Sequence, residues 1–173
     1  QYAIKLTEKN DVKIDYYVGS GENLSQFKDN ELDIVLSVFA MQYINNLDKC
    51  FSEVSRILKK DGRFIFSLDH PFYSIISPKT MKIESSYNHS GLNETVKTSD
   101  IIKASQWRRG NTQKFEFYFR KISDIYKSLV NSNFFVEEIK EPVLIEGKNP
   151  WNKIYSRKIS KYIAPTIIFI AKK

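Results

Sequence analysis

The stretch from residue 32 to residue 68 decides the fold: LDIVLSVFAMQYINNLDKCFSEVSRILKKDGRFIFSL. It begins with a nearly continuous apolar run, LDIVLSV (32–38), which is typical of a buried strand in a parallel sheet. It ends with a second such run, RFIFSL (63–68). Between the two runs, apolar residues recur at helical spacing, with two lysines in the predicted last turn and Gly62 after it. The order strand, helix, strand predicts a right-handed βαβ unit.

Further elements are predicted on both sides of this unit, and together they indicate one domain over residues 1–173. Periodicity predicts helices at 2–9, at Ser123–Asn133 with Ser123 as the cap, and near 155–163, and strands at 13–18, 115–119, 134–139 and 166–171. Residues 72–114 are rich in Ser, Thr, Asn and Lys and show no period, which indicates a functional loop or lid.

The segment YVGSGENL (17–24) follows a predicted strand and begins like a dinucleotide-binding glycine loop. That loop needs G-x-G-x-x-G at the start of a helix. Gly19 and Gly21 match, but Leu24 stands at the third glycine position and no long amphipathic helix follows. The pattern therefore favours a glycine-containing turn over a phosphate-binding loop.

Composition excludes several classes of protein. The net charge of +7 is carried mainly by lysines that are spread along the 173 residues, which does not favour nucleic-acid binding. Cys50 is the single cysteine, and its place on an apolar helix face predicts a core residue. The absence of a disulfide fits a reducing, cytoplasmic setting. We find no zinc spacing, signal-peptide pattern or run long enough to span a membrane.

The central stretch, extended to VGSGENL at its start and to DHPFY at its end, resembles class I S-adenosylmethionine-dependent methyltransferases of the small-molecule, "methyltransferase type 11" kind. The matching motifs are the G-x-x-E-N-L turn (19–24), the L-D-I-V strand, the R-I-L-K-K-D-G helix end and the following strand. FRKISDIYKSLVNSNFFVEEIKEP (119–142) is similar to a later family segment. The resemblance implies an α/β, Rossmann-like sheet with helices on both faces and an antiparallel C-terminal strand.

The resemblance also implies S-adenosyl-L-methionine as the cofactor, with the 19–24 turn at its adenine end. Ser20 stands where the family usually has Asp, so the acceptor for adenine is Glu22 or Ser20, or else backbone and stacking hold the ring. The implied cofactor-binding residues are Ser20, Gly21, Glu22, Asn23, Leu24, Ser37, Val38, Phe39 and Tyr43.

The family's own glycine loop and ribose-binding acid precede the segments matched here. We expect that the N-terminal strands of the family sheet are absent from this chain and that the sequence omits an N-terminal segment. The alternatives are a true fragment that does not bind the cofactor, or strands supplied by another chain. In the family sheet, the missing strands would separate the strand at 13–18 from the strand at 33–38.

Methyl transfer is an in-line displacement that depends mostly on alignment and desolvation. If the acceptor must lose a proton, His70 is the candidate base, since it follows a strand end and histidine is the residue type best suited to general base catalysis. The alternative is that Asp69-His70-Pro71 only shapes a turn. His89 is a second candidate. Residues that could line the substrate pocket, or simply pack, are Tyr73, Trp107, Arg108 and Arg120.

The leading hypothesis for function is a methyltransferase that acts on a small-molecule acceptor. The alternatives are a methyltransferase for RNA or protein, and a non-catalytic methyltransferase-like remnant that serves as a binding module. A dehydrogenase is disfavoured because the dinucleotide fingerprint is incomplete. The sequence leaves the identity of the acceptor and the oligomeric state open.

Overall fold

The computed structural model describes residues 2–88, 91–92, 117–143 and 155–173. In chain order, its elements are α1 (Tyr2–Lys9), β1 (Leu32–Val38), a 3-10 turn (Met41–Tyr43), α2 (Leu47–Ile57), β2 (Leu58–Asp69), α3 (Pro71–Ser74), β3 (Gly91–Leu92), β4 (Tyr118–Phe119), α4 (Ile122–Asn131), β5 (Phe135–Lys140), α5 (Arg157–Ser160) and β6 (Thr166–Lys172). None of the helices in these ranges is long and apolar enough to cross a membrane.

Four strands form the main sheet in the order β1-β2-β6-β5. β1 and β2 are parallel, with α2 as the connection between them, which confirms the predicted strand, helix and strand. β6 is antiparallel to both β2 and β5, which confirms the antiparallel C-terminal strand. The short strands β3 and β4 form a separate antiparallel pair. The molecule is thus an α/β protein with a Rossmann-like sheet.

The core lies on one face of this sheet, under α2 and α4. Alternate residues of β2, namely Phe64, Phe66 and Leu68, point to this face and are buried. Phe51 of α2 contacts Phe64 and Phe66, with ring centroids 5.4 and 5.3 Å apart. Cys50 is 1% exposed in the same core, and burial raises the pKa of its thiol to about 12. Cys50 is therefore a packing residue, as predicted.

The opposite face of β1 is open in the part of the chain that the structure describes. Ile34, Leu36 and Val38 point to it and are 60%, 66% and 61% exposed. The predicted buried strand is therefore buried on one face only in the described part of the chain. β1 is buried only through the residues that face α2, such as Val35, because no described helix packs on its other side.

β2 begins earlier than predicted, so Lys59 lies in the strand and not in the last turn of α2. Leu58 is already extended, with ψ 140°, and is in register with Leu32 of β1. Gly62 does not cap the helix. A Cβ at Gly62 would lie 2.9 Å from the carbonyl oxygen of Lys59 and 3.0 Å from that of Asp33, so the close approach of two backbones requires glycine.

Residues 13–18, predicted as a strand, pair with no strand in the described part of the chain. Ile14 and Val18 on its predicted inner face are 51% and 107% exposed. Alternation predicts an extended conformation, but a strand also needs a hydrogen-bonded neighbour. β1, the described edge strand next in sequence, does not supply one.

The remaining differences concern element ends and the predicted lid. α4 begins at Ile122, so Ser123 lies in its first turn, and Lys121 takes the cap position without a side-chain hydrogen bond. Within residues 72–114, the described ranges contain part of α3, strand β3 and an isolated bridge between Ile76 and Ile83. His89, Trp107 and Arg108 lie outside the described residues.

Candidate active site

The carboxyl ends of β1 and β2 lie side by side, because Val38 is in register with Ser67 of the parallel neighbour. Phe39 follows β1 with φ 51°, a conformation that non-glycine residues rarely adopt. Its N–H donates to the Ser67 carbonyl at 3.0 Å, so the chain bends towards β2. The 3-10 turn that follows and ends at Tyr43 therefore contacts β2. Ser37 and Val38 point to opposite faces of the sheet, as successive strand residues do.

The 19–24 turn is held beside this strand end by Glu22. Its Oε1 accepts hydrogen bonds from the backbone N–H groups of Asn45 and Asn46 at 3.1 and 3.0 Å. Within the turn, the Ser20 hydroxyl accepts from the Glu22 N–H at 3.1 Å. A Cβ on Gly21 would lie 3.1 Å from Cδ1 of Ile44, so this position packs closely. The two side chains predicted as adenine acceptors thus also shape and anchor the turn.

A second anchor connects the end of the turn to α2. The Glu53 carboxylate accepts from the backbone N–H of Leu24 at 2.8 Å, and Arg56 donates to the Leu24 carbonyl at 3.1 Å. Arg56 also donates to the Phe27 carbonyl at 3.0 Å and to Asp29 at 2.7 Å. The hydrogen bond from Arg56 holds the pKa of Glu53 below its usual value. Residues 24–29 are thereby fixed on the helix.

Arg120, predicted to line the substrate pocket, contacts the loop at Ile44 and Asn45. Its Nη2 donates to the Ile44 carbonyl and, at 2.8 Å, to the Asn45 carbonyl. The guanidinium carbon lies 5.2 Å from the ring centroid of Tyr118, and burial lowers the pKa of Arg120. The geometry gives Arg120 a positioning role for the loop that also receives Glu22.

His70 is buried just after β2, and both of its ring nitrogens have partners. The Phe72 N–H donates to Nδ1 at 3.1 Å, which makes His70 the N-cap of α3. Nδ1 therefore carries a lone pair, and Nε2 carries the hydrogen of the neutral ring. Nε2 donates to Glu141 Oε1 at 2.7 Å.

Asp69 ends β2 next to His70 and is surrounded by phenol groups. The Tyr155 hydroxyl donates to Asp69 Oδ1 at 2.6 Å. Tyr73 meets Tyr155 edge to face, with ring centroids 5.6 Å apart, and its own hydroxyl accepts from the Ser156 N–H at 2.6 Å. Burial raises the pKa of Asp69. The pKa values of Tyr155 and Tyr43 are also raised, mainly by burial and to a smaller extent by the negative charge of Asp69.

The structure therefore groups the described site residues at two adjacent strand ends. The 19–24 turn, the segment 37–43 and Arg120 gather at the end of β1, while His70 and Tyr73 follow β2. Among the described residues, no group of three His, Cys, Asp or Glu side chains could hold a metal ion.

Four residues with contacts in this region were not predicted from the sequence: Glu53, Arg56, Asp69 and Tyr155. A charge pair three positions apart on a helix was a signal for the first two. A carboxylate that ends an apolar strand was a signal for Asp69, whereas nothing in the sequence pointed to Tyr155.

Several known methyltransferases are similar to part of this chain. The profile of a family described as a methyltransferase domain matches residues 1–66. An uncharacterized protein from Haemophilus influenzae is 25% identical over 131 residues, which are 72% of this chain and 48% of that protein. The ubiquinone biosynthesis O-methyltransferase of Pelagibacter ubique is 36% identical over 70 residues, 40% of this chain and 28% of that protein. The chain thus spans about half the length, or less, of these curated relatives.

A solved structure shows the same fold over nearly the whole chain. The S-adenosylmethionine-dependent methyltransferase from Mesorhizobium loti superposes with a TM-score of 0.71 at 18% identity, covering 99% of this chain and 75% of that one. The profile match covers the 19–24 turn, β1, α2 and most of β2, and it ends at Phe66, before the carboxyl end of β2. The chain therefore has the fold of S-adenosylmethionine-dependent methyltransferases, and its residues 1–66 are similar to a methyltransferase domain.

Proposed function

We propose that the protein transfers a methyl group from S-adenosylmethionine to a small-molecule acceptor. The observation that carries this proposal is the anchoring of the 19–24 turn, through Glu22 and the N–H groups of Asn45 and Asn46, beside the carboxyl end of β1. Open α/β sheets bind their ligands outside these strand ends. The similarity of residues 1–66 to a methyltransferase domain, together with the fold, supports S-adenosylmethionine as the cofactor.

The residues at this strand end fit the adenosine half of the cofactor. A Cβ on Gly19 would meet nothing within 4 Å, so the turn has open space beside it. Gln42, in the 3-10 turn, is 4% exposed, and its Oε1 has no hydrogen-bond partner within the described ranges. An unsatisfied buried acceptor is costly, and a ligand N–H such as the adenine amino group would satisfy it. We assign the turn and segment 37–43 to this half.

When bound, the cofactor supplies a methyl group on a positively charged sulfur. The protein's task is then to align an acceptor with that methyl group and to exclude water. His70 stays our predicted base for an acceptor that must lose a proton. Its Nδ1 lone pair already accepts the Phe72 N–H, so this role requires that hydrogen bond to be released.

Two features support a small molecule over RNA or protein as the acceptor. The matched motifs resemble the small-molecule branch of the family, and the Pelagibacter relative is named for the synthesis of ubiquinone, a small molecule. The basic residues of this chain are mostly lysines that lie along its whole length, without an arginine-rich cluster. Recognition of RNA phosphates and bases favours such clusters.

Binding of S-adenosylhomocysteine, measured by titration calorimetry, tests the proposed site. Val38 and Ile34 offer a matched pair, because they lie on the same strand and face with exposures of 61% and 60%, but only Val38 is at the carboxyl end. We expect Val38→Arg to weaken binding at least about tenfold, or ~1.4 kcal/mol, and Ile34→Arg to leave it unchanged.

Turnover is then measured as S-adenosylhomocysteine formation with a panel of small acceptors and with bulk RNA. NAD serves as the control ligand. Failure of the wild-type protein to bind S-adenosylhomocysteine would support the non-catalytic binding module. Methylation of RNA alone would overturn the assignment of a small acceptor.

A further inference from the structure

The proposed methyltransferase function assigns no role to the carboxylate of Asp69. This side chain lies at the carboxyl end of β2, beside the end of β1 to which we assign the cofactor. It is partly accessible in the structure, so a ligand can reach it. Tyr155 holds Oδ1 through a hydrogen bond of 2.6 Å, which fixes the orientation of the carboxylate.

Asp69 differs from the surface aspartates in having no cationic partner. Asp29, Asp33 and Asp61 are exposed, and each pairs with an arginine or lysine at 2.7–2.8 Å. Within the described ranges, Asp69 makes no ion pair with a lysine or arginine, although it is more buried than they are. A carboxylate that is removed from water is costly unless a cation or several hydrogen bonds compensate it. The chain itself provides one described hydrogen bond, from a neutral phenol.

The groups around Asp69 are aromatic. Tyr73 and Tyr155 meet edge to face, and Tyr73 is held in place through the Ser156 N–H. Tyr43 lies close enough for the charge of Asp69 to raise the pKa of its phenol, after the larger effect of burial. Aromatic faces attract organic cations, most strongly where water is excluded. A carboxylate among phenol rings is therefore suited to a ligand that carries a positively charged nitrogen, and unsuited to an anion.

We propose, on the basis of the methyltransferase function above, that the acceptor is an amine and that Asp69 binds its nitrogen. The ammonium form gives Asp69 the cation that the chain lacks. Before transfer, the bound ammonium loses one proton to water through the Asp69 carboxylate, which leaves the amine in its free-base form. Its lone pair then forms the new bond to the methyl carbon as the carbon–sulfur bond breaks, and that electron pair stays on sulfur. The product is an N-methylammonium, whose N–H proton passes to the Asp69 carboxylate and then to water.

A neutral hydroxyl acceptor would fit this site less well. It can donate one hydrogen bond to Asp69, but it leaves the negative charge without compensation. An acceptor with its own carboxylate or phosphate would add a like charge, which is destabilising at short distance. Among acceptors of the same shape, the site should therefore prefer the one that carries a positive charge.

Three probes of one skeleton test the proposal: phenethylamine, phenethyl alcohol and phenylacetate. Their binding to the wild-type protein is measured by titration calorimetry with S-adenosylhomocysteine present. S-Adenosylhomocysteine formation is then followed with each probe as the acceptor. We expect the amine to bind at least tenfold more tightly than the alcohol, and the carboxylate not to bind. Equal binding of amine and alcohol, or methylation of the alcohol alone, would overturn the proposal.

Asp69→Asn tests the residue, since the amide oxygen can still accept from Tyr155 while the charge is lost. We expect it to remove the preference for the amine, with affinity for S-adenosylhomocysteine changed less than twofold. Asp33→Asn, an exposed aspartate on β1, is the control and should keep the preference. If Asp69→Asn keeps a tenfold preference, Asp69 does not bind the nitrogen. If Asp69→Asn does not fold, the wild-type comparison alone decides. A wild-type protein that fails to bind S-adenosylhomocysteine contradicts the proposed function instead.

Discussion

Glu22 accepts a hydrogen bond of 3.0 Å from the backbone N–H of Asn46. Asn46 is also the cap of α2, because its own side chain accepts from the Lys49 N–H at 2.9 Å. The turn that we assign to the cofactor is thus tied to the N-cap residue of the helix that covers the core. Loosening this contact affects both the turn and the helix start.

Glu22→Ala removes the acceptor for two backbone N–H groups, those of Asn45 and Asn46. We expect it to lower the free energy of unfolding by about 1–2 kcal/mol, since the site is partly exposed and water replaces some of the loss. Affinity for S-adenosylhomocysteine should fall at least fivefold. Glu22→Gln keeps an acceptor oxygen and is the control. Unchanged affinity in the alanine variant, measured by calorimetry, would mean that the anchor does not shape the cofactor site.

Sequence patterns predicted the elements that build the core, and the structure explains why. The run from residue 32 to residue 68 contains residues that pack against each other: Phe51 on the helix contacts Phe64 and Phe66 on the strand that follows. The hydrophobic period and the packing therefore agree within one short stretch. The strand at 166–171 was predicted from its own pattern, whereas its antiparallel direction was implied by the family resemblance.

Features that depend on distant neighbours could not be predicted in this way. Residues 13–18 alternate like a strand but lack a paired neighbour in the described part of the chain. Gly62 has the spacing of a helix cap, but glycine is required there because the backbone of Asp33 lies too close for a side chain. The Asp69–Tyr155 contact joins residues 86 positions apart, and no local pattern carries such a pairing. Most of the anchoring contacts of the candidate site are of this kind.

The Glu53 carboxylate should make stability depend on acid pH. Its folded-state pKa is lowered, first by the hydrogen bond from Arg56 and then by the Leu24 N–H. A carboxyl group with a lowered folded pKa contributes stability above its usual value near 4.5, and this contribution is lost as pH falls through the lower folded value. We therefore expect the thermal midpoint to fall below about pH 4.5, and Glu53→Gln to flatten this fall. Glu8→Gln, on the exposed α1, is the control, and an equal flattening there would contradict the assignment.

Gly62→Ala should destabilise the protein by about 1–3 kcal/mol, measured by chemical denaturation. The added Cβ would lie 2.9 Å from the Lys59 carbonyl oxygen and 3.0 Å from the Asp33 carbonyl oxygen, and neither backbone group can rotate away. Gly19→Ala is the matched control, because a Cβ there meets nothing within 4 Å. It should change stability by less than about 0.5 kcal/mol. Equal effects of the two substitutions would show that the contacts at Gly62 relax without cost.

The open face of β1 should govern the solubility of the 173-residue chain. Leu36 is 66% exposed there, between Ile34 and Val38, on a strand at the edge of the described sheet. Exposed apolar edge strands promote association through unpaired backbone groups, and a charge on such a strand opposes it. We therefore expect the wild-type chain to associate in light-scattering measurements and Leu36→Lys to reduce this association without lowering the thermal midpoint. Val35→Lys, one residue away, places its charge towards α2 and should cost about 1–3 kcal/mol of stability. A wild-type chain that stays monodisperse and unfolds cooperatively would show that this face does not drive association.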